Sequence, residues 1–227
     1  MCVCELYDIA SFSFLQGILY VSSIVDGADA REMGQSACLY PGILALADMH
    51  GVQTRADHVI EEDDALHALG ISDQLGAAEE LMQTCIEMAA RTVTGMAPER
   101  VVFWDAPKSQ KMHGDMWIPA GHGTGSLRPE IAESLLYLYA VTKKDDYRAA
   151  GWDMWRSIQR HHRVEHGYAT LWNVNRVPVR HKDVMESWFI SATLKYLYLL
   201  FGDTDIKKFV FNSMGHAFPS MRSRDEL

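Results

Sequence analysis

Residues 127–134, LRPEIAES, hold the densest group of chemically capable side chains in the chain. Glu130 and Glu133 are three apart, so on a helix both carboxylates project from one face. A helix N-terminus stabilises exposed carboxylates by about 0.3–1 kcal/mol each, which by itself accounts for the pair. Arg128 beside them is an ion-pair partner or a donor to hydroxyl groups. Trp188, in MESWF, offers a face on which a sugar ring can stack, although an aromatic at helical spacing more often belongs to a core. His113, His122, His161, His162 and His166 show no HExxH or other metal-ligand spacing and are predicted to lie on the surface or in loops. The last four residues, Arg224, Asp225, Glu226 and Leu227, form a close variant of a KDEL-type retrieval signal, with a random charged tail as the alternative.

The elements that must position these groups are mostly helices. Ser126 can cap and Pro129 sits in the first turn of a helix that runs through LLYLYAV. Residues 37–50 read as a helix with a Pro-Gly start, and residues 77–94 as an amphipathic helix with Leu81, Cys85 and Met88 on one stripe. Gly95 and Pro98 end the latter. Between them, residues 52–76 carry Glu61, Glu62, Asp63 and Asp64 and read as a solvated excursion. A loop rich in Gly, Pro and His covers residues 105–126, and residues 146–163 form a further helix. After the turn segment GYATLWNVN comes the helical run MESWFISATLKYLYLLF, stopped by Gly202, and then FVFN. Strand signals are sparse, so the predicted class is all-α, built from helical hairpins.

The chain has 227 residues, 48% hydrophobic and 22% charged, enough for a sizeable core and ordinary for a globular protein. A formal net charge of -9 argues against nucleic acid as a partner and suits a neutral or cationic ligand. The longest apolar run, residues 189–201, is too short for a transmembrane helix and carries Lys195. The apolar N-terminus has Glu5 and Asp8 where a signal peptide carries Lys or Arg, and reads as an internal segment or a truncated start. Of the four cysteines, Cys2 and Cys4 lie in this segment, and spacing does not say whether Cys38 and Cys85 pair.

Taken in order, MGQSACLYPGILALA, ELMQTCIEMAARTVTGMAPERVVF, LRPEIAESLLYLYAVT, HGYATLWNV, VMESWFISATLKYLYLLF and FVFNSMGHAFP resemble the C-terminal part of the class I α-1,2-mannosidases, glycoside hydrolase family 47. The resemblance divides the chain into an unassigned segment 1–18, a catalytic-domain portion 19–220 and a tail 221–227. It implies an (α/α)7 barrel of helical hairpins, here incomplete, with a short β segment near the C-terminus that plugs the barrel and carries a calcium site. It further implies inverting hydrolysis of terminal α-1,2-linked mannose on high-mannose N-glycans, in the endoplasmic reticulum lumen or early secretory pathway. Inversion needs an acid for the leaving oxygen and a carboxylate that activates water on the opposite face. By the resemblance Glu130 is the catalytic base. Glu99, Arg128 and Glu133 line the substrate pocket, Trp188 stacks on the mannose, and Ser213 is the calcium ligand. The resemblance also implies that Cys38 and Cys85 form a disulfide, as an oxidising compartment allows, and that the tail meets a retrieval receptor.

The departures from the family pattern bear on activity. Its two upstream acidic segments, which supply the general acid and another carboxylate, have no counterpart in this chain. Ala192 and Met214 stand where the family has glutamates that hold waters around calcium, and Gln35 stands in place of a histidine. Insertions fall near residues 52–76 and 105–125. Three readings result: a mannosidase lacking its N-terminal half in this chain, a lectin-like glycan-binding protein without catalysis, and a truncated product.

Overall fold

The computed structural model describes residues 10–15, 18–25, 28–54, 71–103 and 116–220. Cys2, Cys4, the acidic run 61–64, His113 and the C-terminal RDEL fall outside these residues. In chain order come β1 (Ala10–Leu15), β2 (Ile18–Val25), β3 (Ala28–Asp29) and β4 (Glu32–Gly34). A 3₁₀ turn (Gln35–Leu39), α1 (Tyr40–Met49), α2 (Gln74–Ala90), β5 (Arg100–Phe103) and β6 (Met116–Trp117) follow. The second half holds α3 (Glu130–Thr142), α4 (Asp145–His161), β7 (Arg163–Val164), β8 (Gly167–Tyr168), a π-helical turn (Phe189–Thr193) and α5 (Leu194–Phe201). A 3₁₀ turn (Ile206–Lys208) leads to β9 (Phe209–Phe211) and β10 (Ala217–Pro219).

The helix α3 is the centre. Its Leu135 and Leu138 are fully buried, and α1, α2, α4 and α5 all pack against it. The approach of α1 is close because Gly42 has no side chain: a Cβ there would lie 2.7 Å from Ser134 Oγ. The Gly42 amide instead donates to Ser134 Oγ at 2.9 Å, and that hydroxyl donates to the Cys38 carbonyl at 2.6 Å. A buried hydroxyl is tolerated in this apolar seam because both of its roles are filled. Cys38 and Cys85 are disulfide-bonded, with Cα atoms 5.9 Å apart, tying the turn before α1 to α2. No helix among the described residues is long and apolar enough to cross a membrane.

The helices begin and end for local reasons. Asp73 caps α2 by accepting from the Gly76 amide at 2.7 Å. The helix therefore starts at Gln74, inside the stretch read as a solvated excursion, and Ile71 just before it is buried. Asp145 and Asp146 open α4 and Arg160 and His161 close it, matching the helix dipole at both ends. The last helical run is not regular: a π turn precedes α5, and Gly202 follows it.

Strands are more numerous than the sparse signals suggest, and form four small antiparallel sheets among the described residues. Most have two to four residues, too few to show an alternating pattern. They are held by what they pack on. Leu19, Tyr20 and Val21 of β2 are buried, Thr84 on α2 donates to the Leu19 carbonyl at 2.6 Å, and Tyr20 stacks on Phe103 of β5 at 4.2 Å. β1 lies within the stretch that sequence left unassigned.

Candidate active site

The site is assembled where the loop 118–129 meets the first turn of α3 and the π turn before α5. Leu127 has φ 56°, a left-handed conformation rare for a branched side chain. It turns the chain so that residues on both sides of it reach Glu99. Ser126 donates its hydroxyl to one Glu99 oxygen, and Arg128 Nε donates to the other at 2.9 Å. Glu99 is itself fixed through its backbone, its amide donating to the His122 carbonyl and its carbonyl accepting from the Gln35 amide. Ser126 is therefore not the cap of α3. That helix starts from Pro129 without a side-chain cap.

The π turn supplies the opposite wall. Its extra residue per turn re-aims side chains, a common feature at functional sites. The Trp188 indole N–H donates to the Ser126 carbonyl at 2.9 Å, and Thr193 donates to the Leu127 carbonyl at 2.6 Å. The Arg128 guanidinium lies 5.5 Å from the centre of the Trp188 ring. Trp188 is half-buried, pinned at its N–H, and not part of the apolar core.

Glu130 completes the group. One of its oxygens lies 3.6 Å from Arg128, too far for a strong hydrogen bond, and the other is buried without a partner. Its side chain is only 14% exposed. Burial raises its pKa, its own backbone amide and then Arg128 oppose that, and the Glu99 charge adds to it. Glu133, one turn on, is pushed to about 7 by burial, with the Tyr196 hydroxyl lowering it and Glu130 raising it. Glu99 and Glu130 thus share the Arg128 guanidinium, while Glu133, beside Glu130, retains a proton near neutral pH. A buried carboxylate oxygen with no donor can take a proton from water, while Arg128 and the Trp188 face can hold a polyol ring.

The structure brings Glu99, Arg128, Glu130, Glu133 and Trp188 together. Ser126 was read from sequence only as a helix cap, and Thr193 and Tyr196 were not singled out; none carries a spacing signal that would have placed it in the site. Ser213 stands apart from this cluster, exposed in the turn of the β9–β10 hairpin. That turn rests on the π turn: a Cβ on Gly215 would lie 2.7 Å from the Ser191 carbonyl and 3.1 Å from Ala192 Cα. The Gly215 carbonyl accepts from the Lys195 ammonium.

Calcium prefers six to eight oxygen ligands, carboxylates prominent among them. Beside Ser213 stands exposed Met214, Ala192 lies against Gly215 of the same turn, and the Lys195 ammonium already holds the Gly215 carbonyl. Among the described residues no group of three or more His, Cys, Asp or Glu could hold a metal ion. The residues present fit calcium poorly. His162 also corrects an expectation: it is fully buried, bonded through Nδ1 to the Ala169 carbonyl at 2.9 Å. Burial lowers its pKa to about 4, so it packs as a neutral ring.

Two carboxylates on the first turn of α3, an arginine and a half-buried tryptophan are thus gathered beside one another, a set compatible with a glycosidase type of domain. The chain belongs to glycosyl hydrolase family 47, whose sequence profile matches residues 10–220. It is 34% identical over 231 residues to the mannosyl-oligosaccharide 1,2-alpha-mannosidase MNS3 of Arabidopsis thaliana, covering 93% of this chain and 36% of that protein. It is 35% identical over 208 residues to the endoplasmic reticulum mannosyl-oligosaccharide 1,2-alpha-mannosidase of Rattus norvegicus, covering 89% of this chain and 29% of that protein. The chain therefore spans about a third of the length of these relatives. The fold matches the alpha-1,2-mannosidase from Trichoderma reesei with a TM-score of 0.75 at 22% identity, over 95% of this chain and 45% of that one. The helical-hairpin fold expected from sequence is thus present in part.

Proposed function

We propose that this chain forms the base-side wall of an α-1,2-mannosidase site that takes terminal α-1,2-linked mannose of N-glycans in the endoplasmic reticulum or early secretory pathway. The observation that carries this reading is the unpartnered, buried Glu130 oxygen beside Arg128 and Trp188. Glu130 accepts the proton of the attacking water. Arg128, oriented by Glu99, donates to sugar hydroxyls, and Trp188 supports the ring. Glu133 holds a proton beside Glu130, so the two neighbouring carboxyls are not both charged. The names of the mannosidase relatives supply the sugar and the compartment.

Inverting chemistry also needs a carboxylic acid about 6.5–9.5 Å from the base. By the family pattern that acid belongs to a segment without a counterpart here, so this chain is expected to bind mannose without turning it over. General acid–base help is worth about 10²–10⁴-fold. The test measures mannose released from α-1,2-mannobiose by the purified chain, alongside mannobiose affinity by calorimetry. The expected outcome is no turnover, with affinity weakened by Trp188→Ala and Arg128→Lys. Turnover abolished by Glu130→Gln would show a complete catalyst. Affinity indifferent to all three substitutions would remove the site assignment itself.

A further inference from the structure

The segment that leads into the site, residues 121–128, borders a second depression that the mannosidase reading leaves unused. This depression encloses about 410 Å³ and is lined by Thr124, Trp172, Asn173, Arg176, Arg180 and Lys182, with glycines and a proline between them. No carboxylate among the described residues lines it, in a chain whose formal net charge is -9. Asp183, next along the chain, faces a different hollow with Glu165 and His166. The separation of charge is set by backbone pairing. Antiparallel bridges join Gly125 to Leu171 and Leu171 to His181, and the Trp172 amide donates to the Arg180 carbonyl at 2.9 Å. Alternation along paired segments then sends Thr124, Trp172 and Arg180 to one face, opposite buried Leu171.

Within the depression Lys182 is committed. Its ammonium lies 4.7 Å from the centre of the Trp172 ring and donates to Thr124 Oγ1 at 3.2 Å. Arg176 and Arg180 are exposed and form no ion pair among the described residues. Trp172 is 57% exposed, so its outer face is open while Lys182 steadies the ring. Two free guanidinium groups match the paired oxygens of a phosphate, and an indole face matches a sugar ring.

We infer that this basin is a subsite for an anionic carbohydrate, a hexose bearing a phosphate monoester, with the ring on Trp172 and the phosphate between Arg176 and Arg180. The choice of sugar rests on the mannosidase reading; the choice of charge does not. Its place, two residues from Ser126, puts such a group on an arm of the same glycan that enters the Glu130 site.

The experiment titrates the full 227-residue chain with mannose 6-phosphate, mannose and inorganic phosphate by calorimetry, at low and high salt. Mannose 6-phosphate is expected to bind at least about tenfold tighter than either other probe, since charge-assisted hydrogen bonds contribute on that scale. The preference should shrink at high salt. Arg176→Ala/Arg180→Ala should remove it, and Trp172→Ala should weaken the sugar phosphate while leaving inorganic phosphate unchanged. Equal affinity for mannose and mannose 6-phosphate, or a double-arginine variant that binds as the parent does, overturns the proposal. Equal binding of inorganic phosphate and sugar phosphate, unaffected by Trp172→Ala, overturns its carbohydrate part. All three substituted side chains are exposed, and circular dichroism checks that the variants fold. Mannobiose binding at the Glu130 site, read with Trp188→Ala, reports separately on the function proposed above.

Discussion

Glu133 shows how one buried carboxyl links the site to stability. Its pKa in the folded chain, about 7, is above the ordinary glutamate value, because burial and the Glu130 charge outweigh the Tyr196 hydroxyl. A raised folded-state pKa means that the protonated form is the one folding favours. The stabilisation is complete below about pH 4.5 and is lost as pH rises through about 7. Glu133→Gln mimics the protonated state and still accepts from Tyr196. It is expected to stabilise the chain at pH 8 by about 3 kcal/mol, and to be nearly neutral at pH 4.5. Urea unfolding at the two pH values measures this, and equal effects at both would show that Glu133 is not protonated on folding. Ser126 and Arg128 act differently, since their value lies in where they hold Glu99.

At the scale of elements, two contacts decide whether the site is held in place. The first is the α1–α3 seam. In Gly42→Ala the new methyl meets Ser134 Oγ and the α3 backbone, and the Ser134 hydroxyl cannot leave without stranding the Cys38 carbonyl. Overpacking of this kind costs about 1–3 kcal/mol, and chemical denaturation of the variant should show a loss in that range. The second is the docking of the β9–β10 turn on the π turn. Gly215 lies against Ala192, and Lys195 holds the turn carbonyl, so the hairpin is seated by packing and an internal cation. Calcium at millimolar concentration is therefore expected to leave the melting temperature unchanged. In Ala192→Glu/Met214→Glu the added carboxylates should produce a calcium-dependent rise, since outer ligands of this kind are worth about 10–100-fold in affinity. A calcium-dependent rise in the parent chain would contradict the reading.

Over the whole molecule, the Cys38–Cys85 bond is the longest-range covalent constraint among the described residues. It closes a sequence separation of 47 across α1 and the stretch up to α2. A loop of that size is worth on the order of 4 kcal/mol in the chain-entropy account. Reduction should lower stability by about that much, and Cys38→Ala/Cys85→Ala should reproduce the loss. Peptide mapping without reduction provides the direct check: two free thiols in material from the secretory pathway would rule the bond out there. Both sulfurs are fully buried, so the bond should resist mild reductants until the chain unfolds.

The sequence by itself determined the parts that depend on neighbours along the chain. Helical periodicity marks α2, α3 and α4, the glycine after α5 marks its end, and the spacing of Glu130 and Glu133 places both on the first turn of α3. The ordered set of family-like segments pointed to Glu99, Arg128 and Trp188 as members of one site. The tertiary structure alone decided how they meet. Ser126 reads as a helix cap because its nearest neighbours are helical, yet Glu99 captures its hydroxyl from 27 residues away. The basin on Trp172 depends on bridges among three separate segments, and the short strands depend on pairing partners. His162 looked solvated because no periodic pattern marks it as buried. Its surroundings come from packing beside Gly125, where a Cβ would lie 3.3 Å from its ring. Local order follows from local spacing, whereas burial, pairing and pKa depend on groups that only the folded chain brings together.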